Sequence, residues 1–241
     1  MLTTRELVDL YGRFGFDVLC VTDHVTRGSD PWLLEGELRR GVHAEIFSAY
    51  LEELDVEAVR ARSLYDMLVL PGLELTYNEL DPALAAHALA IGLRRFVRVD
   101  DGLEQALRDA RASGAAVVAA HPAANAACPQ SGPVEGVWGN REVPPAPSAR
   151  HTQRFARDWR SLRSLVDRWE LFNRNELYAW VAEVGLPGIA TGDFHRPEHL
   201  PGWKTLLPCL PDEGAVVGYL RSSLPVFLAR LEASSAQEHA A

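Results

Sequence analysis

Long apolar runs are missing from this sequence, and with them any segment near the roughly 18 residues a membrane-spanning helix needs. The amino terminus has no basic flank leading into an apolar core, so no secretory leader is read and the cytoplasm is the expected compartment. Cysteine is scarce. Cys20, Cys128 and Cys209 are odd in number and far apart, with no C-x-x-C pair, which excludes a disulfide framework and a thiolate zinc site. No basic block offsets the net charge of -9, so neither a nucleic-acid partner nor a membrane partner is expected. Lysine is nearly absent: Lys204 is the only one among 24 basic side chains. No internal repeat and no linker divides the chain. Residues 1–230 therefore read as one domain, and 231–241, small and polar, as a disordered tail.

What is present fits an α/β domain. The 241 residues, 47% hydrophobic, suffice for one sizeable core. Thr3 with Glu6 forms a capping-box pattern, and Leu7, Leu10, Tyr11 and Phe14 follow at helical spacing until Gly15. Apolar, strand-like runs are expected at 16–22, 67–76, 87–92, 115–120 and 169–172, and again from Gly188. Helical patterns lie between them: 31–66, a stretch opened by Asp100 and Asp101 and closed by Gly114, 155–166, and 176–184. Residues 224–228 suit a last short strand or a helix start. Residues 122–150, rich in proline and glycine, predict a long irregular loop of the kind that covers a site, a candidate lid.

The stretch GIATGDFH, 188–195, ends in Asp193 and His195, two residues apart and so on one side of an extended chain. Taken alone, Asp-x-His is a common strand-end turn. Four of the eight histidines, however, fall at an edge of an apolar run: His24, His87, His121 and His195. Glu74 sits inside one such run, where a carboxylate is costly without a positive partner. Strand ends on one rim of a parallel sheet or barrel hold side chains around one cleft. Imidazoles and carboxylates without thiolate suit Zn, Mn or Fe, and ions of this kind favour hydrolysis.

The order of motifs resembles the PHP superfamily, named for its polymerase and histidinol-phosphatase members. The resemblance rests on Thr22-Asp23-His24, Pro71-Gly72-Leu73-Glu74, His87, His121-Pro122 and Gly192-Asp193-Phe194-His195, and runs from about 2 to 228. It implies a distorted (β/α)7 barrel with up to three divalent ions at one rim, hydrolysing phosphoesters through a metal-bound hydroxide. Glu74, His87 and His121 would hold one ion, Asp193 with Glu74 as bridge would serve a second, and His24 with His195 a third. Members of the family open with a strand carrying His-x-His, followed shortly by another His or Asp. This sequence has none of them, so three expected ligands and the first strand are missing; a trimmed start is expected rather than a decayed site.

A small phosphorylated substrate also needs cations beyond the metals. Arg27, Arg174, Arg196 and Lys204 follow the candidate strands and are the residues named for that role, although each alone also reads as a solvated loop charge. Two alternatives stay open. One is a metal-dependent C–N hydrolase on a similar barrel, without a bridging carboxylated lysine, because Lys204 follows the last ligand motif. The other is a non-catalytic or degenerate PHP-like binding protein.

Overall fold

The computed structural model describes residues 2–30, 41–123 and 152–232. Most of the predicted lid, the predicted tail from 233 and the start of the predicted 31–66 helix lie outside the described residues.

The capping box at Thr3 opens helix α1 (Thr4–Arg13). Thr3 Oγ1 accepts the Glu6 amide at 3.2 Å, and Glu6 Oε2 accepts the Thr3 amide at 2.8 Å. Strand β1 (Val18–Thr26) follows and carries Asp23 and His24 within its length, not beyond its end. Helix α2 (Phe47–Tyr65) leads to β2 (Leu68–Tyr77), which runs parallel to β1 with His24 opposite Glu74.

Strand β3 (Ala86–Ile91) then reverses direction. It is antiparallel to β2 and to β4 (Ala116–Ala120), which follows helix α3 (Leu103–Ala112). The sheet is therefore mixed, not all parallel as a (β/α)7 barrel implies. The reversal puts the first residues of β3 level with the last residues of β2 and β4: His87 lies opposite Thr76 and Ala120. A histidine at a strand start thus reaches the rim that the other motifs reach from strand ends.

Helix α4 (Arg154–Leu162) precedes β5 (Arg168–Asn173), which pairs parallel to β4 and to β7 (Gly188–Thr191). Between them lie the two-residue strand β6 (Glu176–Leu177) and the short helix α5 (Ala179–Glu183), where the pattern predicts a single helix over 176–184. The chain closes with β8 (Gly202–Leu206), α6 (Glu213–Arg221) and β9 (Phe227–Leu231), β8 and β9 forming an antiparallel hairpin. The seven-stranded sheet stays open among the described residues, with β1 at one end paired to β2 alone. No described helix is long and apolar enough to cross a membrane.

Alternation along the strands divides the apolar side chains between the two faces of the sheet. Leu73, Leu75, Ala88, Ala90, Val117 and Ala119 pack with α3 in the larger core. Leu70, Ile91, Ala116, Val118 and Ile189 pack with Val216 and Leu220 of α6 in a smaller one, which Val18, Cys20 and Leu89 flank. By the same parity, His24, Glu74 and His87 belong to the face of the smaller cluster, which forms an apolar floor.

Candidate metal centre

Glu74 is the middle of the site. Its carboxylate is buried, and three imidazoles surround it: His87 Nδ1 lies 2.8 Å from Oε1, His121 Nε2 3.5 Å from Oε1, and His24 Nδ1 3.7 Å from Oε2. Burial pushes the Glu74 carboxyl up, but the His24 charge and contacts from His121 and His87 outweigh it and hold the group well below the usual carboxylate range. Burial lowers His87, only partly offset by Glu74. Burial also acts against a charged His121, yet Glu74, Asp193 and Glu170 raise it to about 9. The pocket is thus an ionised acid among nitrogen donors.

Threonine hydroxyls orient two of the histidine rings. His24 Nδ1 is 2.7 Å from Thr76 Oγ1, whose own proton goes to the Glu74 carbonyl at 3.1 Å. The hydroxyl must therefore accept from His24 Nδ1–H, the same nitrogen that faces Glu74, so Nε2 is the nitrogen open to an ion when the ring is neutral. His121 repeats the device. Thr152 Oγ1 donates to the His121 carbonyl at 2.6 Å and accepts from its Nδ1 at 3.0 Å, leaving Nε2 toward Glu74. Metal-binding histidines characteristically donate their other N–H in this way.

Parity along β4 would send His121 to the face of Val117 and Ala119. It escapes through a positive φ of 31°. Arg174 (φ 53°) and Asp193 (φ 39°) share this feature, so three of the four described non-glycine residues with positive φ stand on this rim. Left-handed backbone at such residues is costly and clusters at functional sites.

One buried acid holds the rim together, and the sequence reading passed over it. Glu170 on β5 is 1% exposed and accepts three hydrogen bonds: the His121 amide at 2.6 Å, Asn173 Nδ2 at 3.0 Å and Thr191 Oγ1 at 2.5 Å. It ties the end of β4 to the end of β7, two residues before Asp193. Burial pushes its carboxyl up to about 7. The signal that could have revealed it is the one that marked Glu74, a carboxylate inside an apolar run.

Asp193 and His195 lie past the end of β7 and form a second, more exposed pair, with His195 Nδ1 3.3 Å from Asp193 Oδ1. The His195 ring centroid is 6.2 Å from that of His24, so the pair borders the Glu74 cluster. Arg174 donates to Asp193 Oδ2 at 2.6 Å and to the Asp193 carbonyl at 2.7 Å. Among the other cations named from sequence, Arg27 pairs with Glu79 at 2.7 Å and donates to the Asn78 carbonyl at 2.7 Å. Arg196 reaches His199 at 3.0 Å on its own turn. Lys204, on β8, is half-buried, which lowers its ammonium to about 8, and it contacts the carbonyls of Gly202 and Trp203.

A divalent ion suits this donor set. Candidate ligand atoms of His24, Glu74 and His87 all lie within 4.8 Å of one another. Two ligands about 2.1 Å from a shared tetrahedral ion stand roughly 3.4 Å apart, so each side chain would move by under about 1 Å to close on it.

No protein-family model matches the chain, and no curated protein matches it significantly. Among solved structures, it is similar to a two-domain protein from Bacteroides vulgatus ATCC 8482, described as containing a predicted PHP-like metal-dependent phosphoesterase, with a TM-score of 0.54 and 17% sequence identity. The match covers 92% of this chain and 58% of that one, so the chain spans under two thirds of its length. At this identity the likeness shows a shared fold.

Proposed function

We propose that the chain is a PHP-type metal-dependent hydrolase that cleaves a small phosphoester. Glu74, His87 and His121 would hold one divalent ion, and Asp193 with His195 would serve neighbouring positions; His24, assigned from the resemblance to a third ion, lies near enough to Glu74 to join the first. The observation that carries this reading is the buried, ionised Glu74 surrounded by three imidazoles, two of them with Nδ1 already held by a threonine. Such an ion, zinc, manganese or iron by its ligands, acidifies water toward neutral pH and neutralises charge on a phosphoryl oxygen.

The chain's own residues do the rest. Glu170 keeps the His121 turn and the β7 end in register, and the apolar floor beneath excludes water from the lower side of the site. Arg27 is one of the proposed substrate cations, although its Nη2 already pairs with Glu79 and the Asn78 carbonyl. Arg174, Arg196 and Lys204 complete that set. A distorted barrel, with β3 reversed, belongs to the same proposal. Among the described residues the second edge of β1 pairs with no strand.

One observation favours a second reading, ligand binding without turnover: the Asp193 carboxylate is already taken by Arg174. A release assay separates the two. Phosphate release from small phosphomonoesters, or alcohol release from phosphodiesters, is expected with manganese or zinc added, and neither after chelation or in Glu74→Ala. Amide hydrolysis without phosphate release would move the chemistry to C–N bonds, and silence in both assays would favour the binding protein.

A further inference from the structure

His87 differs from the other two histidines in what holds it. Its Nδ1 faces Glu74 Oε1 at 2.8 Å and its Nε2 faces Asn78 Oδ1 at 3.0 Å. Asn78 cannot turn its amide over freely, because its Nδ2 donates to Asp30 Oδ2 at 2.8 Å and a flipped amide would set oxygen against oxygen there. Asp30 is itself buried. The Asn78 backbone is pinned as well: Arg27 Nη2 donates to its carbonyl at 2.7 Å, and the Asp30 amide donates to the Arg27 carbonyl at 3.2 Å. The amide oxygen is therefore the atom presented to the ring, and Nε2 must carry the proton. In the neutral ring the Nδ1 lone pair then points at a carboxylate oxygen, two acceptors that only a proton or a metal ion between them reconciles.

We propose that Asp30 and Asn78 are positioning residues that fix the tautomer and plane of His87, so that Nδ1 is the nitrogen offered to a metal ion beside Glu74. The proposal rests on the metal-centre reading above and adds to it two residues and a specific ligand atom. Thr76 and Thr152 do similar work for His24 and His121 through hydroxyls whose own protons go to backbone carbonyls. For His87 that work falls to an amide anchored on a buried acid.

The test uses full-length protein with 15N-labelled histidine rings, with Asn78→Ala and Asp30→Asn beside the unaltered chain. Ring-nitrogen NMR of the metal-free proteins, at a pH where His87 is neutral, reads the tautomer; zinc titration against a competing chelator reads affinity. The unaltered chain is expected to show His87 as the Nε2–H form. Asn78→Ala should show mixed tautomers and bind zinc about 10–100-fold more weakly, with the metal-free melting temperature nearly unchanged. Asp30→Asn, which keeps the volume but frees the amide to flip, should move both readouts in the same direction and serves if Asn78→Ala does not fold. An unchanged tautomer with unchanged zinc affinity overturns the proposal, as does a loss confined to melting temperature. If the unaltered chain takes no zinc, the metal-centre reading fails, and the tautomer in the same samples still decides whether the pair fixes His87.

Discussion

At the scale of single residues, the site depends on one position where no side chain fits. Gly72 stands two residues before Glu74, and a Cβ there would lie 2.6 Å from the Ala90 carbonyl oxygen and 2.8 Å from Thr22 Cγ2. Its carbonyl also accepts from Tyr50 Oη at 3.1 Å. Gly72→Ala must therefore push β1, β2 and β3 apart just below the ring of ligands. A loss of about 1–3 kcal/mol is expected in urea unfolding, since forced overpacking costs that much, together with weakened metal binding. Residue-level legibility was uneven. Glu74 was readable because a carboxylate in an apolar run demands an explanation, and Glu170 gave the same signal in RWELFN without being read. Asn78 and Asp30 gave none, because polar residues in a polar stretch are ordinary and only folding brings them beside His87.

At the scale of elements, α1 and its contact with α2 offer a measurement remote from the metal. Arg60 donates to Asp9 at 2.6 Å and to Glu57 at 2.6 Å, and Tyr65 Oη donates to Asp9 at 2.8 Å. The Arg60 guanidinium holds the Asp9 carboxyl below its ordinary value of 3.8. A carboxyl depressed in the folded state contributes stability that is present above 3.8 and is lost as pH falls through the lower folded value. Asp9→Asn should be less stable than the unaltered chain at neutral pH, and the gap should narrow toward about pH 3. A gap independent of pH would contradict this account.

The element boundaries show what pattern can and cannot carry. The capping box was fully legible, as residue types at fixed spacing dictate it. The reversal of β3 was not, because alternation records which face a side chain takes and says nothing about strand direction. The only trace was that His87 opens its run while His24, His121 and Asp193 close theirs. Helix α6 escaped notice because Gly214 and Gly218 weaken its helical signal.

At the scale of the whole molecule, four segments of distant sequence, around 24, 74–87, 121 and 170–195, converge on one rim above the smaller apolar cluster. That convergence was the part of the site most visible beforehand, through the recurrence of histidines at strand edges. Less visible was how the rim's charges are shared out, with Arg174 holding Asp193 and Glu170 tying the ends of β4 and β7 together. Ion pairs of this kind depend on backbone turns with positive φ, which no periodicity encodes.

The most direct test of the central claim is metal content per chain, measured on protein purified without chelator, for the unaltered chain and Glu74→Ala side by side. The account predicts roughly one tightly held ion in the first and none in the second, since binding should fail once the carboxylate common to all three imidazoles is gone. Equal content in both proteins, or no ion in either, would contradict it.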